Sequence, residues 1–594
     1  FCPMRTVKFL NNPASCVSDA VEGICLSNPQ ISRVQGLDVL VRSDIEAVKD
    51  AQVSLISGGG SGHEPAHAGY IGQGMLSGAV LGNVFASPPV HAILAAIRVC
   101  AGAKGVLLII KNYTGDRLNF GMATERAKAE GIKVEMVVVD DDCALPVGKG
   151  ITGARGVAGT VFVHKVAGAE AVRNDSNLES VRDAAQKAIA NMVSYGVAMG
   201  LCAVPGTSPA NRLAENDDIE VGLGIHAEAG QVQKIDPCSV NLSRNTVRHM
   251  INKMLGTLPG DVNGEKEELP ARLVTSRGEQ VAVLLNNLGG VSELELLVVI
   301  RDVLTELQLR HVQVVRCYIG SFMTSLEMAG LSVTLLRVQN DDELSLLPAL
   351  DIPTAVNIWR TSPVLGEGIV SKDIEYNAEA KARQPSGGGA CEAACIPVLV
   401  KICEALKSGS DKLNEYDAVC GDGDCGRVML AVATHILKQV EDGVFAQATE
   451  KASFCFQVAE AVSEAMGGTS GAIAEIMLRA MVAYFSTTKN TAEWSVAFAE
   501  GVSAVRTYGG ADVGMRTLLD ALVPAVAALR ADLNACQLTQ AAFEAARQGM
   551  EQTKEMQSLA GRANYVTQEQ LSGTPDPGAY AVFLAFQAAN SYFH

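Results

Sequence analysis

The chain has 594 residues, 48% of them hydrophobic and 19% charged, with a formal net charge of −17. That length exceeds what one hydrophobic core supports, so two to four globular domains are expected. The acidic balance argues against nucleic acid and against anionic membrane surfaces as partners.

The opening residues, Phe1-Cys2-Pro3-Met4-Arg5, lack the basic-then-apolar pattern of a secretory leader, and Met4 reads as the natural start. The uncharged stretch from Met75 to Ile97 has the length of a membrane span, but Pro88-Pro89, Asn83, His91 and several glycines break it. Cysteines number 15 and fall on apolar faces (Cys100, Cys202, Cys317, Cys403, Cys455), as free thiols in a reducing cytosol do. Cys391 and Cys395 lack the second pair that a structural zinc site needs.

In chain order, Val53 to Ser57 reads as a buried strand running into the loop Gly58-Gly59-Gly60-Ser61-Gly62-His63-Glu64. A run with almost no side chains lets backbone N–H groups approach a small oxygenated ligand, at the strand end where open α/β sheets bind ligands. A helix is expected to begin near His63 and Glu64. Strands follow over Gly105–Ile110, ending in Lys111-Asn112-Tyr113-Thr114-Gly115-Asp116, and over Ile132–Val139, ending in three aspartates. Val281–Leu285 leads to Ser292 and Glu295, a capping box for a helix reaching about Leu307. Val312–Tyr318 and Leu331–Val338 close the series, which reads as repeated βαβ units. Residues 367–394 read as a flexible linker, from mixed charges to Gln384-Pro385-Ser386-Gly387. Beyond it strands nearly vanish: Ile396, Leu399, Val400, Cys403 and Leu406 fall at helical spacing, and alanine-rich helical patterns run to the end.

Asp417, Asp422 and Asp424 lie within eight residues, with glycines that permit a tight turn on which the carboxylates converge. Three hard oxygen donors suit Mg²⁺, which also prefers substrate phosphates to a full protein cage; the pattern is not an EF-hand. A solvated turn is the structural alternative. Gly467-Gly468-Thr469-Ser470-Gly471 puts small hydroxyl residues at a helix start, a phosphate cradle without the Lys of a Walker A loop. The late segments 560–565 and Pro575–Gly578 read as loops. Gly222-Leu223-Gly224-Ile225-His226 with Glu228 singles out His226, whereas His91 and His164 read as satisfied structural histidines. A rival is His63-Glu64-Pro65-Ala66-His67, which matches H-E-x-x-H; zinc-peptidase histidines need an established helix, and Pro65 fits only a first turn.

Taken together and in order, the glycine-rich run from Gly58 to Pro65, Lys111–Gly121, Gly222–His226, Gly421–Gly426, Gly467–Gly471 and Asp576–Gly578 resemble the dihydroxyacetone kinase family in its fused, ATP-dependent form, of the triokinase/FMN cyclase type. The resemblance implies an α/β substrate domain of two subdomains over 1–366, a linker over 367–394, and an all-α nucleotide domain over 395–594 resembling an eight-helix barrel. It implies ATP-dependent phosphorylation of dihydroxyacetone and of D-glyceraldehyde. His226 would hold the ketone as a hemiaminal. Gly60, Ser61, Gly62, His63 and Lys111 would line the pocket, and Asp116 would take the proton of the attacking hydroxyl. Asp417, Asp422 and Asp424 would hold Mg²⁺, with Mn²⁺ as a substitute. Gly423, Cys425, Thr469, Ser470, Gly509, Thr517, Leu518, Asp576, Pro577 and Gly578 would surround ATP. It further implies a cytoplasmic homodimer with a small-molecule substrate, and no nucleic-acid or membrane partner. FAD-AMP lyase activity (FMN cyclase) is the alternative; a zinc peptidase and a non-catalytic regulator are remote ones. Where the family has an acid beside the Arg-Thr pair, this chain has Met515, which puts one nucleotide contact in question.

Overall fold

The computed structural model describes residues 8–144, 153–207, 213, 218–234, 240–257, 273, 277–338, 346–359, 362, 385–488, 492–530, 533–560 and 566–594. Met4, the linker residues 367–384 and the loop residues 561–565 lie outside these. The chain divides into two compact units, Phe1–Asp373 and Ile374–His594.

The first unit holds two six-stranded sheets. One contains β1 (Ile31–Arg33), β2 (Val39–Arg42), β3 (Ser54–Ser61), β4 (Gly78–Val84), β5 (Val106–Lys111) and β6 (Val134–Val139), in the order β1-β2-β4-β3-β5-β6. Its β4-β3-β5-β6 core is parallel, as the apolar runs with helical crossovers predict, and the β1-β2 edge is antiparallel. The uncharged stretch from Met75 is explained here: it supplies β4 and the helix Val90–Cys100, both packed inside the fold. Among the described residues, no helix is long and apolar enough to cross a membrane.

The second sheet corrects the βαβ expectation. It contains β7 (Met192–Ala198), β8 (Asp218–Val221), β9 (Gln231–Lys234), β10 (Gln280–Asn287), β11 (Gln313–Gly320) and β12 (Gly330–Arg337), ordered β11-β10-β12-β7-β8-β9. Only β10 and β11 pair in parallel, joined by the helix Glu293–Leu309. That helix begins on the expected capping box, Ser292 Oγ accepting from the Glu295 N–H while the Glu295 carboxylate accepts from the Ser292 N–H. The link from β11 to β12 is too short for a crossover, so β12 returns antiparallel on the other side of β10.

A helix over Thr160–Ala171 is buried almost all round, its polar His164 and Lys165 included. Its Phe162, Val163 and Val166 share one core with Leu55 and Ile109 of the first sheet and with Ala282 and Leu284 of the second. Burying each such large side chain contributes roughly 1.5–3 kcal/mol. The outer faces are covered by Val90–Cys100 and Thr114–Ala129 on one side and by Leu242–Leu255 and Glu293–Leu309 on the other.

The glycine run after Leu55 was expected as a loop, yet Gly58 to Gly60 are the end of β3, paired with β4 and, at Gly58, with β5. A Cβ on Gly58 would lie 2.4 Å from the Val80 carbonyl oxygen, so the close approach of β4 needs glycine. No helix begins at His63; the chain turns and makes only a short 3-10 segment at Ala68–Tyr70.

The second unit is helical throughout its described residues, apart from one isolated bridge between Ala390 and Glu450. Helices 395–408, 425–441, 451–465, 468–487, 494–509, 519–527, 535–552 and 577–593 pack each against the next, and the last packs back on the first. The expected barrel of eight helices is this closed ring. The helix Ser410–Cys420 lies outside the ring order, against 425–441 and 577–593, and delivers the chain to the aspartate turn.

Candidate active site

The end of β3 and the loops beside it gather the first group of predicted residues. Gly59 has a φ of +159°, and a Cβ built on it would fall 2.7 Å from Lys111 Nζ and 3.5 Å from Asp116 Oδ2. Lys111 ends β5, and Asp116 sits in the first turn of Thr114–Ala129, so a glycine strand opens the space that both charged groups face. One Asp116 oxygen accepts from Ser87 Oγ at 2.5 Å. Gly60 and Gly62 approach Phe85 closely enough that any side chain on either would collide with it. Ser61 donates to the Gly82 carbonyl at 2.7 Å and acts as a strand anchor.

His63 is buried, its ring stacked on Phe85 with centroids 5.1 Å apart. Its Nδ1 lies 2.7 Å from the Thr324 carbonyl, which only accepts, so Nδ1 carries the proton and Nε2 presents a lone pair. That Nε2 is buried and has no hydrogen-bond partner. Burial, then the neighbouring His226 and Lys111, push the His63 pKa well below its ordinary value and keep the ring neutral.

His226 arrives from the loop after β8 and stands edge-on to His63 at 4.7 Å, to Tyr113 at 4.6 Å and to Phe85 at 5.2 Å. Glu228 holds it twice: one carboxylate oxygen is 2.9 Å from His226 Nδ1 and the other accepts the His226 backbone N–H at 2.9 Å. Burial raises the Glu228 pKa, but the hydrogen bond and charge of His226 outweigh it and hold the carboxylate at about 2. Glu228 is therefore an anion that accepts from Nδ1–H and leaves the ring's lone pair at Nε2. The sequence reading noted Glu228 only as a neighbour. It did not single out Phe85, Tyr113, Ser87 or Thr324; the loop after β11 that carries Thr324 reaches the site only through tertiary contact.

The H-E-x-x-H rival fails on this geometry. His63 bonds the Thr324 carbonyl, whereas His67 bonds Lys111 and Ser57, so the two rings are committed to different partners and neither stands on an α-helix. His164 departs from its expectation as a satisfied histidine: it is buried with neither ring nitrogen hydrogen-bonded, and burial, then Lys111, holds its pKa at about 3.

In the second unit Asp417 is not in the turn but on the helix Ser410–Cys420, with Asp422 and Asp424 following in the turn. Each of the three offers an oxygen, and these atoms lie within 4.8 Å of one another. Asp417 Oδ2 also accepts the N–H groups of Asp424 and Cys425, at 2.9 and 3.0 Å, which folds the turn over it. Hard, convergent carboxylate oxygens at a solvent-facing turn fit Mg²⁺ or Mn²⁺. Gly423, at φ +75°, makes the turn, and Cys425 opens the next helix.

Thr469 and Ser470 lie in the first turn of Gly468–Thr487, where a helix leaves its leading N–H groups without intrahelical partners. Ile473 on the same helix shares an apolar cluster with Leu518. A Cβ on Gly578 would lie 3.0 Å from Leu518 Cβ, which brings the segments 517–518 and 576–578 together. Asp576 caps the last helix through the Ala579 N–H at 2.8 Å, Pro577 starts it, and burial pushes the Asp576 pKa up to about 6. Gly509 ends its helix in open space. The Met515 substitution leaves the loop intact, because Asp520 accepts the N–H groups of Gly514 and Thr517 at 2.6 and 2.7 Å. Cys391, Cys395 and Glu392 lie together, but Lys451 and Trp494 already hold the Glu392 carboxylate.

Comparison with known proteins follows the same division. Residues 22–355 match the Dak1 domain and residues 419–591 the DAK2 domain. The chain is similar to the Mus musculus protein named triokinase/FMN cyclase, at 39% identity over 594 residues and 98% of each chain. It is similar to the dihydroxyacetone kinase of Citrobacter freundii, at 37% identity over 590 residues and 98% of each chain. The crystal structure of the C. freundii dihydroxyacetone kinase with AMP-PNP and Mg²⁺ aligns with a TM-score of 0.63 at 34% identity, covering 99% of this chain and 100% of that one.

Proposed function

The chain belongs to the dihydroxyacetone kinase family, in the form that carries Dak1 and DAK2 domains together, and from that premise we propose that it moves the γ-phosphoryl group of ATP onto a hydroxyl of dihydroxyacetone and of D-glyceraldehyde. The observation that carries this reading is the Glu228–His226 pair at 2.9 Å, with the His226 ring 4.7 Å from His63, whose Nε2 is unpartnered, and with Lys111 and Asp116 both facing Gly59.

The chemistry follows from those atoms. His226 Nε2 adds its lone pair to the carbonyl carbon, the C=O pair moves to oxygen, and that oxygen takes a proton from solvent to give a hemiaminal on a positively charged ring. Glu228 balances the positive charge that develops on the ring. The bond requires a carbonyl, so glycerol, with the same hydroxyls, is refused. His63 Nε2 accepts a hydrogen bond from the bound triose, and Asp116 takes the proton of the attacking hydroxyl, with Lys111 as its countercharge. Phosphoryl transfer asks mainly for positioning and charge neutralisation. Asp417, Asp422 and Asp424 hold Mg²⁺, which neutralises the phosphate charge when bound. The loops at Gly423–Cys425, Thr469–Ser470, Gly509, Thr517–Leu518 and Asp576–Gly578 form the ATP site.

We assign residues 1–366 to the substrate half and 395–594 to the nucleotide half, joined by 367–394. Free thiols at all described cysteines support a reducing cytosol as its compartment. The homodimer rests on the family resemblance and is read by light scattering. A second reading, splitting of FAD into AMP and cyclic FMN at the nucleotide half, is favoured by similarity to the mouse triokinase/FMN cyclase. One assay tests both: ADP release with dihydroxyacetone, D-glyceraldehyde or glycerol, run beside AMP release from FAD, each with Mg²⁺ or Mn²⁺. Turnover of the carbonyl substrates over glycerol is expected; equal use of glycerol removes the covalent anchor.

A further inference from the structure

Behind Lys111 lies a row of buried polar side chains that the reaction above does not use. Lys111 Nζ is 3.1 Å from His67 Nε2, His67 Nδ1 is 3.1 Å from Ser57 Oγ, and Ser57 Oγ is 2.6 Å from the Ile109 carbonyl oxygen. Lys111, His67, Ser57 and Ile109 are all buried. A carbonyl only accepts, so Ser57 commits its one proton to Ile109. Ser57 Oγ is then the acceptor for His67, Nδ1 carries the ring proton, and Nε2 turns a lone pair toward an ammonium that only donates. One tautomer of one neutral ring is consistent with every hydrogen bond along the row.

We propose that His67, locked in its Nδ1–H tautomer by Ser57, is a positioning residue for phosphoryl transfer that holds the Lys111 ammonium in place beside Asp116. The inference rests on the reading of Lys111 and Asp116 as substrate-site residues. Lys111 is faced by Asp116 from the helix Thr114–Ala129, by Glu228 from the loop after β8, and by the neutral rings of His63, His67 and His164. The two carboxylates favour its charge and burial opposes it. His164, 5.2 Å from His67, makes no hydrogen bond to Lys111, so His67 is the ring that accepts from the ammonium. An ammonium deprived of His67 keeps the cost of burial and loses a hydrogen bond that fixes its direction.

The test uses the full chain with His67→Leu, His67→Gln, Ser57→Ala and Lys111→Met. His67→Leu is expected to lower kcat for dihydroxyacetone by roughly tenfold to a hundredfold, the scale of a lost hydrogen bond to a buried charge. The KM for ATP should stay unchanged, and the alkaline limb of the kcat profile should move to lower pH as the lysine loses its proton earlier. His67→Gln, whose amide oxygen accepts from Lys111, should recover most of the loss. Ser57→Ala should displace the alkaline limb in the same direction by a smaller amount. Ring-¹⁵N spectra should show His67 protonated at Nδ1 without any turnover being measured, which keeps the inference open to refutation if His67→Leu does not fold. A wild-type rate and pH profile in a folded His67→Leu, or an Nε2–H tautomer, overturns it. A fully active Lys111→Met would overturn the site reading itself; a Lys111-dependent enzyme indifferent to His67 overturns only this inference.

Discussion

The two halves solve opposite electrostatic problems. The substrate half buries most of the polar groups of its candidate site: His63, His67, His164, Lys111 and Asp116 are all buried, the histidines are held neutral by burial and by the lysine beside them, and His226 is half-buried. The nucleotide half gathers Asp417, on a helix, with Asp422 and Asp424 of the turn that follows it, and Asp422 is exposed. Desolvation sharpens a nucleophile and a tautomer, because a fixed hydrogen bond in a dry site has no water to compete with it. Three carboxylate oxygens within 4.8 Å of one another have the reverse need, a cation to join them, which is the role proposed for Mg²⁺. On the proposed assignments, the difference teaches that one half is organised before its ligand binds and the other is completed by it.

The largest expected effect comes from cutting the two apart. A fragment of residues 4–367 should fold and bind dihydroxyacetone, yet release no ADP; kinase activity from it would place the nucleotide site in the wrong half. Next, Asp422→Ala or Asp424→Ala should cut ATP-dependent turnover by roughly a thousandfold or more, the loss of several kcal/mol of charge stabilisation. Calorimetry should find ketone binding by the same variants unchanged. Near-normal rates in either would show that the turn is a solvated loop.

His226→Ala sharpens the contrast from the dry side. It should lower the dihydroxyacetone rate and erase the preference over glycerol, because a pocket of hydrogen bonds alone distinguishes these polyols poorly. A crystal structure with bound ketone should show continuous density from His226; a ketone lying free of the ring would refute the anchor. The smallest effect is on stability. The neutral histidines of the first unit have folded pKa values below the ordinary ~6.5, so below that pH the unfolded chain binds protons the folded unit refuses, and stability falls. Each such histidine costs up to about 1.4 kcal/mol per pH unit. Asp141 in the same unit, raised to about 6 by burial, works the other way, and so does Asp142, also raised by burial; the three histidines outnumber the two carboxyls. In the second unit Asp576, also about 6, binds protons more tightly when folded, which favours the folded state as pH falls from 6 toward 4. Calorimetric scans at pH 7 and 5.5 should therefore lower the first unit's transition more than the second's. Equal shifts would break the comparison.

The periodicities of β3, β5, β6, β10, β11 and β12 were readable because buried strands carry unbroken apolar runs, and the Ser292–Glu295 box because a cap is a local interaction. The second sheet was misread because strand direction depends on which neighbour a strand finds, and β7, β8 and β9 lack a long apolar run. Asp417 was taken for a turn residue because its helix ends only at Cys420, where the next glycine stops it.

The sequence by itself determined the two-part division, and the residues proposed for each site were named from it, because these depend on composition and on side chains a few residues apart. The tertiary structure decided which lone pairs are free. His63 owes its open Nε2 to Thr324, 261 residues away, and Lys111 owes its acceptor to His67, 44 residues away. A hydrogen bond between distant segments exists only when packing brings them together, and no local pattern encodes a tautomer set from across the fold.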